Sequence, residues 1–343
     1  MGTTLVIVGA TGAVGEDLRR LVVERGLPVD RVRLVASPRS VGRRLPFGDG
    51  ELEVGPLAPE AFDGADLAFF SAGGGVSREW APVAAARGAV VVDNSSAWRM
   101  HPEVPLVDAD VNAADAGHHP IGIVANPNCT TLAITPVLAC LRDLAGLEAI
   151  TATSFQAAGG SGQRGMDELA EQAAKLVGER DLLRRGGQRE ALPAGAVFAR
   201  PIAFNVVPQC GDFAEAGYTV EELKLRDEPR KILGLPALVS HPTCVRVPVM
   251  VGHSVSVRAL CSRPVDLAEL RARLAAAPGV TVGGDDGGYP TPLEAAGTDG
   301  VLVGRVRADL ADPRAVLFWS VADNLRKGAA LNAVQIGEVL LRG

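Results

Sequence analysis

The first 125 residues alternate short apolar runs with helical patterns, and that alternation restricts the chain to very few folds. Residues 5–8, 32–36, 67–71, 90–93 and 121–125 read as strands, with helices at about 13–25 and 76–88 between them. Strands joined by crossover helices make a parallel sheet covered on both faces. The first strand runs into Gly9-Ala10-Thr11-Gly12-Ala13-Val14-Gly15, which opens the first helix. Glycines there permit a tight turn and close approach of a pyrophosphate to helix N–H groups. The spacing G-x-x-G-x-x-G is a variant of G-x-G-x-x-G, and alone it could mean only tight packing. In this position it predicts a Rossmann-like, doubly wound α/β domain that binds a dinucleotide through Gly9, Thr11, Gly12, Ala13 and Val14.

The end of the second strand discriminates between nucleotides. A carboxylate there would hold a ribose 2′-hydroxyl and mark an NAD site. This chain instead has Ser37-Pro38-Arg39-Ser40, followed by Gly42-Arg43-Arg44. Hydroxyls and a guanidinium suit a 2′-phosphate, so Ser37, Arg39 and Ser40 predict NADP, while Arg43 and Arg44 also fit a solvated turn. A second glycine cluster, Ser71-Ala72-Gly73-Gly74-Gly75, and the strand end Asp93-Asn94-Ser95-Ser96 fall on the same sheet edge. Ligands of doubly wound sheets bind at the carboxyl ends of the strands, which makes Ser71, Gly73, Asn94 and Ser95 cofactor candidates. The glycine cluster could equally serve only to turn the chain.

From about residue 148 the pattern changes to runs that alternate apolar and polar residues, at 243–251, 254–261, 301–308 and 315–321. Such runs suit antiparallel strands with one exposed face. Helices at about 163–178 and 266–277 interrupt them, 181–196 reads as an exposed loop, and 325–341 reads as an alanine-rich helix able to pack back on the first domain. At 343 residues two domains are expected. A net charge of -6 gives no electrostatic reason to expect nucleic-acid or anionic-membrane partners. No apolar run approaches a bilayer span, and the N-terminus lacks the features of a signal peptide. Five widely spaced cysteines without a C-x-x-C pair favour reduced thiols, a cytoplasmic location and no metal site.

One of those cysteines stands apart. In Ala125-Asn126-Pro127-Asn128-Cys129-Thr130-Thr131 a turn leads into an apolar run, 130–138, that reads as a helix. A thiol at such a junction meets unpaired backbone N–H groups and the positive end of a helix dipole, both of which favour thiolate. With a pKa of ~8.5 about 3% of a thiol is ionised at pH 7, against roughly 90% with a pKa near ~6.

Taken in order, several motifs give the chain a resemblance to the aspartate-β-semialdehyde dehydrogenase family over nearly its whole length. They are G-A-T-G-A-V-G at 9–15, D-N-S-S-A-W-R-M at 93–100, A-N-P-N-C-T-T at 125–131 and E-E-L-K at 221–224. C-V-R-V-P-V at 244–249, G-H-S at 252–254, P-T-P-L at 290–293 and D-N-L-R-K-G-A-A at 323–330 complete the set. The chain departs from the family pattern at Ala157-Ala158-Gly159-Gly160-Ser161-Gly162 and at Val255. The resemblance implies an NADP-binding domain over 1–130 and 324–343, and an α+β catalytic and dimerisation domain with a mainly antiparallel sheet over 131–323. It implies a homodimer, with a tetramer possible. The implied reaction is NADPH-dependent reductive dephosphorylation of L-4-aspartyl phosphate to L-aspartate 4-semialdehyde. Its implied place is the biosynthesis of lysine, threonine, methionine and diaminopimelate.

Site roles follow from the same resemblance. Cys129 is the nucleophile and leaving group, because a thioester accepts hydride more readily than a carboxylate. His253 is the acid–base group, a role that favours a side chain titrating near neutrality. Arg246, a charge inside an apolar strand, matches the residue that grips the substrate carboxylate; a protein-internal salt bridge is the competing explanation. Arg99 and Lys224 match a phosphate-binding pair, and Glu221 a holder of the substrate ammonium, although Glu221 and Lys224 could be an ordinary i, i+3 pair. Gln156 orients the acyl group, and Asn128 helps hold the oxyanion with the Cys129 N–H. Asn324 contacts the nicotinamide amide or caps the last helix, and Gly159 lies against the cofactor. N-acetylglutamyl-phosphate reductase is a rival reading that Glu221 opposes. A non-catalytic paralogue is a second, opposed by the joint presence of Cys129, Gln156, Arg246 and His253.

Overall fold

The structure, a computed structural model, describes residues 2–185, 192–283 and 288–342. The chain divides into two compact units, one of Met1–Pro136, Asp227–Pro236 and Leu325–Gly343, the other of Val137–Arg226 and Ala237–Asn324.

The first unit is built on strands β1 (Thr4–Val8), β2 (Arg31–Ala36), β3 (Arg44–Phe47), β4 (Gly50–Pro56), β5 (Leu67–Phe70), β6 (Val90–Asp93) and β7 (Ile123–Ala125). They form one sheet in the order β3-β4-β2-β1-β5-β6-β7, parallel except for β3 against β4. Every residue of β1 and β5 is buried, as a sheet covered on both faces requires. Alternate side chains serve opposite faces: Leu5, Ile7, Leu67 and Phe69 join one core, Val6, Val8, Ala68 and Phe70 the other. The antiparallel β3–β4 hairpin has no counterpart in the sequence-based expectation. Its two-residue loop, Gly48-Asp49, starts with Gly48 at φ 58°, the left-handed turn that suits the twist of a hairpin. Arg44 therefore lies in a strand, while Arg43 stays exposed beside it.

The expected helix over 130–138 is instead two. Cys129–Leu132 forms a single turn, and Thr135–Ala145 begins a new helix. Pro136 lacks an N–H and disfavours helical backbone before it, so it sits in the first turn of the second helix. The C-terminal segment is also divided: Arg326–Leu331 is wound as a π-helix before Asn332–Arg342 continues as α-helix. This segment belongs to the first unit, and Gly337 lets it approach β5 closely, since a Cβ there would lie 2.8 Å from Phe69 Cζ.

The second unit has a sheet ordered β11-β12-β13-β10-β8-β9. Its strands are β8 (Leu147–Gln156), β9 (Val239–Arg246), β10 (His253–Cys261), β11 (Val280–Val282), β12 (Val301–Ala308) and β13 (Ala315–Ala322). The four central strands β12-β13-β10-β8 pair antiparallel, and the two edges, β9 and β11, are added in parallel. Gln163–Leu176 is an amphipathic helix that buries Leu169 and Leu176 with Phe198 and Ile202. In the segment read as a loop over 181–196, Arg180–Arg185 is helical, and residues 186–191 lie outside the described residues. Among the described residues no helix is long and apolar enough to cross a membrane.

Candidate active site

The glycine-rich turn of the first unit is fixed by backbone contacts that exclude side chains. Gly9 has φ 84°, and a Cβ on it would collide with the carbonyl of Ser71. A Cβ on Gly15 would collide with the Gly9 carbonyl. The Gly12 N–H donates to Gly9 O at 3.1 Å, and the helix Ala13–Glu24 starts there without a side-chain cap. Around its first turn Thr11, Ala13 and Val14 are half-buried and Gly12 is exposed. Ser71 extends β5 beside this turn, and Gly73, at φ 84°, starts the next helix. At the end of β2, Ser37 and Arg39 are exposed on a 3-10 turn, while Ser40 is buried with its N–H donated to Ser37 O at 2.9 Å. No carboxylate occurs between Ser37 and Arg44.

At the end of β6 the two candidates differ. Both amide atoms of Asn94 are buried and have no protein partner, a demand that a ligand would meet. The Ser95 hydroxyl instead builds the turn: it donates to Asp93 Oδ2 at 2.6 Å and accepts from the Ala97 N–H at 3.1 Å. Burial raises the Asp93 carboxyl above its ordinary range, with the Ser95 bonds and Arg99 opposing.

Cys129 is the only half-exposed residue in the buried run Ile123–Thr130. The turn before it is held from several sides within the unit. The Asn128 side-chain oxygen caps the helical turn by accepting from Thr130 N at 2.9 Å. The Asn128 N–H donates to Glu228 Oε2 at 2.7 Å, and the other oxygen of Glu228 receives Arg99 Nη1 at 2.9 Å. Asn332 Nδ2 donates to Asn126 Oδ1 at 2.6 Å and to Val107 O at 2.8 Å. Because the helix at Cys129 is one turn long, the dipole available to the thiol is local and smaller than an unbroken helix would supply.

Three of the other thiols sit where burial disfavours the thiolate. Burial pushes Cys244 far above the ordinary thiol range and Cys261 up to about 11, and it raises half-buried Cys140 as well.

In the second unit, strand register gathers three of the expected residues at one sheet end. Gln156 and Arg246 are paired residues at the ends of parallel β8 and β9, and His253 begins β10 opposite β8. Gln156 is buried and donates to Ser154 Oγ at 3.2 Å. Arg246 is 7% exposed, donates to Ala157 O at 2.8 Å and stands over the Phe198 ring at 5.7 Å. Among the described residues it has no carboxylate partner.

His253 is wholly buried and accepts the Ala157 N–H at Nδ1, at 3.0 Å. That bond places the proton of the neutral ring on Nε2, and Nε2 is buried without a protein partner. The expectation of a side chain titrating near neutrality is corrected here. Burial, reinforced by Arg246 and opposed by Glu221, lowers His253 to about 3. Gly160 makes the room in front of this pair, since a Cβ there would lie 2.5 Å from Arg246 Nη1 and 3.1 Å from His253 Nε2.

Asn324 accepts the Gly252 N–H at 2.9 Å, leaving its buried Nδ2 without a protein partner, and Gly159 packs against the same amide. It does not cap the last helix, whose N-cap position is Leu325. Glu221 and Lys224 form a 2.7 Å i, i+3 pair on the helix Val220–Ile232. The neighbouring Glu222 has a separate task, taking the N–H groups of Thr219 and Cys244.

Sequence reasoning missed Glu228, Lys231, Lys327 and Asn332. For the first two a signal existed: Glu221, Lys224, Glu228 and Lys231 recur at helical spacing, although Pro229 interrupts the pattern.

Comparison with known proteins adds the following. A family model described as semialdehyde dehydrogenase, NAD binding domain, matches residues 4–119, and one described as semialdehyde dehydrogenase, dimerisation domain, matches 138–327. The aspartate-semialdehyde dehydrogenase of Streptomyces akiyoshiensis is 48% identical over 336 residues, 97% of each chain. That of Corynebacterium glutamicum is 46% identical over 349 residues, 99% of this chain and 100% of the relative. The crystal structure of aspartate semialdehyde dehydrogenase II from Vibrio cholerae, complexed with ASA, covers 100% of this chain and 99% of that one at 40% identity and a TM-score of 0.92. A Candida albicans aspartate semialdehyde dehydrogenase with NADP shares the fold, with a TM-score of 0.74 at 23% identity.

Proposed function

The chain belongs to the aspartate-semialdehyde dehydrogenase family, and from that premise we propose that it reduces L-4-aspartyl phosphate to L-aspartate 4-semialdehyde through a thioester on Cys129. Its N-terminal domain binds a nicotinamide dinucleotide. The observation that carries the substrate assignment is Arg246, a buried guanidinium with no acid of its own in the described protein. A buried charge demands a partner, and the α-carboxylate of an amino-acid substrate can accept its parallel N–H bonds.

In the proposed sequence the Cys129 thiolate adds to the acyl carbon of aspartyl phosphate, and inorganic phosphate leaves with the electron pair of the broken C–O bond. Arg99 and Lys224 recognise the phosphate, and Glu221 holds the substrate ammonium. Gln156 orients the acyl group. Asn128 and the Cys129 N–H support charge on the acyl oxygen. A nicotinamide dinucleotide held by the first domain would supply the hydride that the thioester accepts. His253 holds its Nε2 proton towards the oxygen that gains charge, and collapse of the hemithioacetal releases the aldehyde and regenerates the thiolate. A neutral imidazole suits this task in a buried site, because the donor is in place without the expense of burying a cation.

The residues that would hold the cofactor fit it. The Gly9 turn admits a pyrophosphate, Asn94 offers unmet amide atoms, and Asn324 Nδ2 offers a donor for the carboxamide, with Gly159 alongside. Ser71, Gly73 and Ser95 shape that edge. We assign NADP over NAD from Ser37, Arg39 and Ser40 and from the missing carboxylate at the end of β2. The functional domains are 1–130 with 324–343, and 131–323. The name of the dimerisation model supports a homodimer. A thiolate nucleophile also needs a reducing compartment, which the cytoplasm supplies.

The test is phosphate-dependent reduction of NADP with L-aspartate 4-semialdehyde. The unmodified protein is expected to turn over, and Cys129→Ala to lose turnover while still binding NADP. Full activity in Cys129→Ala would refute the covalent route.

A further inference from the structure

We propose that Glu228 is a positioning residue for the reaction, tying the phosphate-recognising Arg99 to the main chain that carries the nucleophile. The proposal rests on the functional reading above for the role of Arg99, but its geometry stands within the first unit alone. Glu228 is 1% exposed, and each carboxylate oxygen has a separate duty. Oε1 accepts Arg99 Nη1 at 2.9 Å, and Oε2 accepts the N–H of Asn128, the residue before Cys129, at 2.7 Å.

Arg99 is fixed on every side. Its Nε donates to Asn126 O at 2.9 Å and its Nη2 to Asn94 O at 2.8 Å. Three of the five guanidinium N–H bonds are thus spent on the protein, leaving one on each terminal nitrogen for an anion. One turn further along the same helix, Lys231 grips the backbone, donating to the carbonyls of Arg99, His101 and Val104 at 2.8, 2.8 and 2.7 Å. Glu228 and Lys231 therefore hold the side chain and the main chain of the same arginine.

Two physical consequences follow. The carboxylate neutralises Arg99, so the site recognises phosphate without holding it as a full buried cation would, and the leaving group can depart. It also sets the distance between the remaining Arg99 donors and the Asn128–Cys129 peptide, because both are bonded to one rigid planar group. A carboxylate of shorter reach cannot serve both partners, and an amide can accept from only one while presenting a donor to the other.

The experiment compares Glu228→Gln and Glu228→Asp with the parent in three readouts. Steady-state oxidation of the semialdehyde should give a kcat about tenfold or more lower in Glu228→Gln, as expected for loss of one charge-assisted hydrogen bond. Its KM for inorganic phosphate should fall about threefold or more, since Arg99 is then uncompensated. Alkylation of Cys129 by iodoacetamide at pH 7 needs no turnover. It should be about threefold or more faster, because a nearby negative charge is gone and the loop is looser, while Cys210, Cys244 and Cys261 stay unreactive. Glu228→Asp should lower kcat with less change in the phosphate KM. A merely structural glutamate would raise KM as kcat falls and expose all the buried thiols together, which would overturn the proposal. So would values within twofold of the parent in every readout. If neither variant folds, amide exchange in the unmodified protein decides: the Asn128 N–H should be strongly protected, and exchange at the rate of an open loop would refute the bond. An inactive parent with Cys129 alkylation changed as described would sink the functional reading and leave the positioning intact.

Discussion

Replacing Lys327 with Met should destabilise the first unit by about 3–5 kcal/mol, the usual result of removing one partner from a buried ion pair. Lys327 is 0% exposed in the π-helical turn, and its ammonium is 2.6 Å from Asp110 Oδ2, which is itself 5% exposed. Asp108 lies in the same pocket, fully buried, with its carboxyl raised by burial and lowered by Lys327 and by the Thr135 hydroxyl. Met preserves length and apolar stem, so the change isolates the charge. The variant removes the cation that opposes the raised carboxyl of Asp108, so Asp108 will favour protonation further. A carboxyl whose folded pKa lies above its unfolded value binds extra protons in the folded state, so stability falls as pH rises through that window and returns on acidification. The gap between parent and variant should therefore be largest at pH 7.5 and narrow towards pH 5. Urea unfolding can be followed by fluorescence in a Trp319→Phe background, where Trp80 and Trp98, both in this unit, are the remaining indoles. A variant within about 1 kcal/mol of the parent at pH 7.5, or a gap that widens in acid, would refute the reasoning.

Three further outcomes are expected. Gly160→Ala should lower kcat/KM about a hundredfold with an unchanged melting temperature, because its Cβ would lie 2.5 Å from Arg246 Nη1; steady-state kinetics with calorimetry checks both halves. Arg39→Ala should raise the KM for NADPH about tenfold while leaving that for NADH unchanged, measured with the two cofactors side by side. With His253 lowered to about 3, the imidazole of the substrate-free protein is neutral across pH 5–8, so kcat/KM should show no His253 limb in that range. An inflection near 6.5 that vanishes in His253→Gln would contradict this.

The parallel sheet was legible because burial on both faces writes continuous apolar runs, and each of the five expected strands in the first unit exists with small shifts at its ends. The β3–β4 hairpin was hidden by its short, charge-rich strands, in which only Leu45 and Val54 are buried. Strand β8 escaped notice because its alternation is shared with Thr and Ser, although it sets the register of Gln156 against Arg246. The nucleophile and its loop could be found from Pro127, Asn128 and Cys129, but the break at Pro136 was read through as one helix. Glu228 and Lys327 were opaque for a different reason. A charged residue on a helical pattern reads as solvated face, and only tertiary structure reveals that these two are enclosed with specific partners. Burial likewise lowers His253 to about 3, since an ordinary imidazole value belongs to a solvated ring.

Ser37, Pro38 and Arg39 project from a one-turn link whose neighbours Ala36 and Ser40 are buried, so the positions proposed to meet the adenosine ribose bear almost no weight in the core. Redesign towards the unphosphorylated coenzyme could therefore be confined to a three-residue cassette, for instance by installing an acid at position 37. The pyrophosphate bend at Gly9 and Gly15, where no side chain is tolerated, would remain untouched. Coenzyme choice and foldability are in this way separable variables, which makes selection by growth or by cofactor depletion a practical route to altered preference.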